Sequence, residues 1–246
     1  PQFPDLKLAE HPSIHYLILD TLGRMESNID KRIDAIQKIL AHGNRQISNP
    51  DYAANQGVWL YRLGKAHETK ATEMLYINRE LADEQLQAAM EVYSQFFRLN
   101  SISVPEERYA RNIVASKIDI YNSRRSWYTD PSLENLIRRV KYAIQSNNAR
   151  SVLYYQANGF FVLSADYRDE VSRSNTNIYL PHFLGGFVQF GHLTPESNDE
   201  EAWLYSTNWP FHLTTWYLYF RKIHYPASPE IDGNWEWAGI YLGDFY

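Results

Sequence analysis

NWPFHLTTWYLYFRKIHYP (residues 208–226) places Phe, Trp or Tyr at seven of nineteen positions. It reads as a helix. Asn208 is a capping residue, Pro210 suits a first turn, and Pro226 ends the run. Leu213, Trp216 or Tyr217, Phe220 and Ile223 recur at steps of three or four and draw one stripe. Tyr217, Tyr219 and Tyr225 cannot share that stripe with Phe220. Part of the aromatic surface is therefore expected at a boundary, and protein interfaces enrich Trp and Tyr there.

Upstream, the chain also reads as helices. Leu22, Met25, Ile29, Ile33, Ile36 and Leu40 form one stripe between Pro12 and Gly43. Asn49-Pro50-Asp51 opens a second helix to about Leu63. Lys65 to Leu99 is rich in helix formers. Met74, Ile77, Leu81, Leu86, Met90, Tyr93 and Phe97 give its stripe, with Asp83 as a cap that splits it. Ser103-Val104-Pro105-Glu106 starts another helix, with Tyr109, Ile113, Ile120 and Tyr121 inward. Asp130-Pro131 precedes one carrying Leu133, Leu136, Ile137, Val140 and Ile144. Segments 151–167 and 177–193 fit a helix or a strand by pattern, and the helical context favours helix. The expected fold is all-α, a multi-helix array of antiparallel hairpins, with a small irregular or β element around 151–193 as the variant. One helical domain over 1–246 is expected, divisible into subdomains 1–100 and 101–246.

The 246 residues hold no cysteine, which removes disulfides, thiolate zinc sites and cysteine nucleophiles. The net charge of −5 argues against general nucleic-acid binding. Residues 174–195 and 202–220 lack Asp, Glu, Lys and Arg, but both are too polar for a bilayer helix. PQFPDLKLAEHPS at the start has no basic and apolar leader pattern, so the chain reads as cytoplasmic, or periplasmic where a leader has been removed. No cofactor, metal or membrane is expected.

Charge is unevenly spread. Residues 98–173 carry 12 Lys/Arg against 8 Asp/Glu, and 174–246 carry 2 against 8. Five of the seven Trp lie in that acidic last third. PESNDEE (195–201) is a compact acidic loop, and PEIDGNWEWAG (229–239) interleaves carboxylates with indoles. Such a surface suits a basic protein: charge speeds encounter and Trp supplies affinity. The candidate partner-binding residues are Glu196, Asp199, Glu200, Glu201, Glu230, Asp232 and Glu236, with Trp235 and Trp237 as anchors.

Two other chemistries are open. His182, His192, His212 and His224, with Asp166, Asp169 or Glu170, have the side chains of a hydrolase or a metal site, and the aromatics have those of a small-molecule cage. His11 and His15 straddle Pro12 at a helix entrance. Arg124-Arg125 and Arg138-Arg139 form a basic face that suits phosphate or the acidic loops. No nucleophile elbow, phosphate loop, dinucleotide fingerprint or paired-histidine zinc motif is present.

The C-terminal NWEWAGIYLGDFY (234–246), after a helical first half, resembles the PoNi-type immunity proteins. These are all-α bacterial proteins that neutralise a toxic nuclease delivered to neighbouring cells. They end in an aromatic-rich helix; Trp235 and Trp237 fit its aromatic positions, and Ala238 stands where the family places Glu. The resemblance implies an all-α fold and inhibition of a basic toxin by carboxylates.

Overall fold

The computed structural model describes residues 21–23, 25–43, 50–99, 104, 107, 109–123, 126–164, 180, 184, 187–210 and 215–243. The chain divides into two compact units, Pro1–Pro105 and Glu106–Tyr246.

The elements described in the first unit are helices. They include α1 (Ile29–Gly43), α2 (Pro50–Met74) and α3 (Arg79–Arg98). Ile33, Ile36 and Ile39 of α1 are buried, at the three-residue steps of one helix face. Helices α2 and α3 approach closely at Gly64, where a Cβ would sit 2.3 Å from the Tyr93 ring. The Tyr93 hydroxyl donates to buried Glu68 at 2.7 Å, so a carboxylate in this core is satisfied. The division expected at Asp83 falls earlier. Asn78 is the cap, its side chain accepting from Leu81 N, and Ile77 is exposed in the turn instead of lying on the stripe. The second helix runs past Leu63 to Met74 without interruption. Met25, expected inside, is also exposed.

The second unit overturns the all-α expectation. It combines α4 (Ala110–Ser123), α5 (Leu133–Gln145) and α6 (Ala149–Tyr155) with β1 (Gln156–Ser164), β2 (Gln189–Leu193), β3 (Glu201–Thr207), β4 (Trp216–Lys222) and β5 (Trp235–Leu242). The strands form one mixed sheet in the order β1-β5-β4-β3-β2. β1 pairs β5 in parallel and the other neighbours are antiparallel. The architecture is α+β, not an array of helical hairpins.

The opening stretch thus contains a central strand, Trp216–Lys222, where a helix was expected. Trp216, Leu218 and Phe220 share one core cluster, while Tyr217 and Tyr219 belong to another. That is the two-residue alternation of a strand. Leu136, Val140, Ala143 and Ile144 of α5 and Val152 of α6 cover the first face. Tyr109 and Ile113, at the start of α4, pack on the second. Asn208 is no helix cap; it adopts φ 62° in the turn after β3. Behind it the Trp209 indole stacks on Trp216 at 4.4 Å and donates to Ser206 Oγ at 2.9 Å.

Segment 151–167 divides: its first residues end α6 and the next nine form β1. Residues 234–246, the aromatic helix of the PoNi-type resemblance, contain β5 instead, paired on both sides. A register shift lies where Tyr219 faces Gly239 and Phe220 faces Trp237, so Ala238 is a bulge. Gly239 is required there, since a Cβ would lie 2.7 Å from the Phe161 ring. Among the described residues no helix is long and apolar enough to cross a membrane.

Candidate functional site

Two acidic hairpin loops meet at one end of the sheet. The loop between β2 and β3 is shaped by Asn198, whose side-chain oxygen accepts from Glu200 N at 2.8 Å and Glu201 N at 3.0 Å. Such short side-chain-to-backbone closures are what Asn supplies in turns. The loop between β4 and β5 is closed by Gly233 at φ +79°, and Asp232 accepts from Tyr225 N at 2.7 Å. The loops are joined directly: Lys222 N donates to Glu200 O at 2.9 Å, and His224 Nε2 lies 2.5 Å from Glu200 Oε2. Glu196, Asp199, Glu200, Glu230 and Asp232 are exposed here. These five candidates from two distant segments therefore share one surface.

Glu201 is half-buried and faces inward enough to accept from the Tyr219 hydroxyl at 2.6 Å. Burial, together with the carboxylate of Glu201, pushes the Tyr219 hydroxyl well above its ordinary value.

Glu236, Trp235 and Trp237 do not belong to the surface. Trp235 is 6 % exposed and Trp237 is 0 % exposed, which removes both as docking anchors. Both sit in the core beneath α5 and α6, because the strand alternation turns them inward together. Glu236 turns to the opposite face and is buried as well. Its Oε1 accepts from Arg221 Nε at 2.7 Å. Burial pulls the Arg221 guanidinium down in pKa, but Glu236 and Tyr219 outweigh that and hold it above its ordinary value. The pair is incompletely satisfied: Arg221 Nη1 and Nη2 and Glu236 Oε2 have no hydrogen-bond partner.

Two exposed aromatics lie elsewhere at this end. Trp127 and Tyr154 are 49 % and 45 % exposed, with ring centres 6.0 Å apart and planes 26° from parallel. Trp127 precedes a bridge to β5, in which Asp130 N donates to Trp235 O at 3.1 Å and Trp235 N to Asp130 O at 2.8 Å. Asn234 of the acidic loop donates to Thr129 Oγ1 at 3.2 Å. Tyr154 lies two residues before Gln156, which faces Trp237 in register. Sequence reading missed both rings. The one signal for Trp127 was its place between two helices, directly before the Asp130-Pro131 start.

The histidine chemistry is not assembled where it is visible. His192 is exposed on edge strand β2, and His224 is exposed against Glu200. His11, His15, His182, His212, Asp166, Asp169, Glu170, Arg124 and Arg125 lie outside the described residues. Among the described residues no three His, Asp or Glu side chains gather as a metal-ligand set. Arg138 and Arg139 are exposed on α5, and Arg139 reaches Asp130 at 3.1 Å, so part of the basic face is used within the unit. The chain matches no protein-family model, no curated protein and no solved structure.

Proposed function

We propose that this chain works by binding a basic protein through the acidic hairpin end of its sheet. A toxin-neutralising immunity protein is one instance of such a binder. The observation that carries the reading is the junction of the two hairpins at Glu200, where Lys222 and His224 meet its carboxylate and which joins the loops that carry exposed Glu196, Asp199, Glu230 and Asp232. Concentrated like charge raises the local potential and speeds the approach of an oppositely charged partner.

The test is calorimetric titration of the full chain with a nona-arginine peptide. Wild type is expected to bind, with affinity falling about tenfold or more between ~50 mM and ~300 mM salt as screening shortens the reach of the carboxylates. The triple variant Glu196→Lys, Asp199→Lys, Glu230→Lys is expected to lose that binding, while its thermal midpoint stays nearly unchanged. Equal binding by the variant, or no binding by wild type, removes the proposal.

A further inference from the structure

We propose that β2 is a dimer interface: two copies of this chain pair antiparallel along it and join their sheets across a two-fold axis. The inference is independent of the reading above. The sheet has two edges, β1 and β2. Helix α4 closes the first, since Asn112 Nδ2 donates to Gly159 O at 2.7 Å and Asn158 Nδ2 to Ala115 O at 3.1 Å. Among the described residues no strand pairs with the outer side of β2, and none of its five residues is buried. Phe187, just before it, is 91 % exposed, and Leu193 at its end is 41 % exposed. Native edges are usually guarded by charge or by Pro. Residues 189–193 hold no Asp, Glu, Lys, Arg or Pro. The register with β3 shifts between Phe190 and Leu193, but Gln189 and Phe190 pair regularly. Such an edge offers backbone N–H and C=O groups that a further strand satisfies.

The occupant follows from the charges at the two ends of the strand. Lys141 of α5 lies over the Phe190 ring at 5.4 Å, and Gln145 donates to Val188 O at 3.4 Å, so α5 flanks the beginning of β2. The end of β2 runs into the loop that carries Glu196, Asp199, Glu200 and Glu201. A basic strand is repelled by Lys141, and an acidic strand is repelled by the loop. A second β2 carries both signs. Turned antiparallel, it brings the Lys141 end of each copy toward the carboxylates of the other. The flank of α5 is itself mixed in sign, because Glu134, Arg138, Lys141 and Gln145 recur on it at steps of four, three and four. Closed two-fold pairing of one surface with its own copy is also the commonest form of oligomer.

Analytical ultracentrifugation of the full chain, with disulfide trapping, tests this. Wild type is expected to dimerise with a dissociation constant on the order of 10–100 µM, the weak range that so short an edge supports. His192→Lys, which puts a guard charge on the edge, is expected to raise that constant about tenfold or more. Its thermal midpoint is expected to stay near wild type, because His192 is exposed. Lys141→Glu is expected to raise the constant about threefold or more. The chain has no cysteine, so one introduced thiol can be trapped only by its own copy. Under mild oxidation Gln189→Cys, His192→Cys and Leu193→Cys are expected to form dimers at unequal rates. Antiparallel pairing brings only the residue nearest the two-fold axis within disulfide reach of its copy. Tyr76→Cys, exposed in the helical unit, is expected to form none. A chain that stays monomeric up to about 1 mM overturns the proposal. So does self-association that survives His192→Lys, or that tightens in Lys141→Glu. Equal trapping at all three β2 positions assigns parallel strands and overturns it as well.

Discussion

Arg221 and Glu236 face each other across β4 and β5 with one hydrogen bond between them and three polar atoms unserved. Removing one partner strands a buried charge, so Arg221→Met alone or Glu236→Leu alone is expected to cost about 3–5 kcal/mol. The double variant removes both desolvation costs and is expected to unfold at or above the wild-type denaturant midpoint. A double variant with a lower midpoint than wild type would show that the pair is a net contributor. Tyr219 makes a second residue-level prediction. Its folded pKa is raised, mainly by burial, so the folded state keeps a proton that the unfolded chain releases near pH 10. The stability this gives is fully present below about pH 10 and is lost as pH rises toward the folded value. Tyr219→Phe should therefore show a shallower fall in stability between about pH 10 and 11.5, by up to roughly 1.4 kcal/mol per pH unit. Identical slopes in the two proteins, measured by urea unfolding across that range, would contradict the assignment.

At the scale of elements, two glycines mark where packing leaves no room. A Cβ at Gly159 of β1 would sit 2.2 Å from the Asn112 backbone oxygen, and Asn112 Nδ2 already donates to Gly159 O at 2.7 Å. Helix α4 and strand β1 thus touch backbone to backbone. Gly159→Ala is expected to cost about 1–3 kcal/mol, and Gly239→Ala a similar amount against the Phe161 ring. Thermal melts of both variants, with midpoints unmoved, would show that the close approach is not maintained. Helices were legible where one face is apolar and the other is wet: α1 and α5 carry the stripes read from their residues. The strands were not legible, for a physical reason. β4 and β5 are covered on both faces, so polar residues do not alternate with apolar ones and the two-residue period is masked. In residues 208–226, Leu213, Trp216, Phe220 and Ile223 satisfy a helical step equally well, and only the crowding of Trp, Tyr and Phe favoured a strand. The same masking misplaced Trp235 and Trp237. In a helix they would have stood on different faces from their neighbours; in β5 they point together into the core. The acidic loops were legible because turn residues and carboxylates declare exposure on their own.

Over the whole molecule, the second unit carries a core cluster on each face of its sheet, one with residues of α5 and α6 and the other with Tyr109 and Ile113. Residues 106–246 produced alone are expected to melt cooperatively with a circular dichroism spectrum of mixed helix and strand. A non-cooperative melt would show that these cores do not suffice. The unit is also polarised. Residues 110–155 carry 8 Lys/Arg against 3 Asp/Glu, and 189–243 carry 2 against 7. The bulk charge of −5 conceals this, so salt dependence measured on the intact chain reports the local surfaces and not the total. β5 comes last of the five strands in sequence, yet it lies between β1 and β4. A ribosome therefore delivers β1 through β4 before the strand that joins them. Until residues 235–242 leave the exit tunnel, β1 lacks a neighbour and β4 shows an open side, both lined with aromatic rings. Sheet closure during translation is delayed by topology, and the nascent unit leaves apolar faces and an unpaired strand edge open until its central strand arrives.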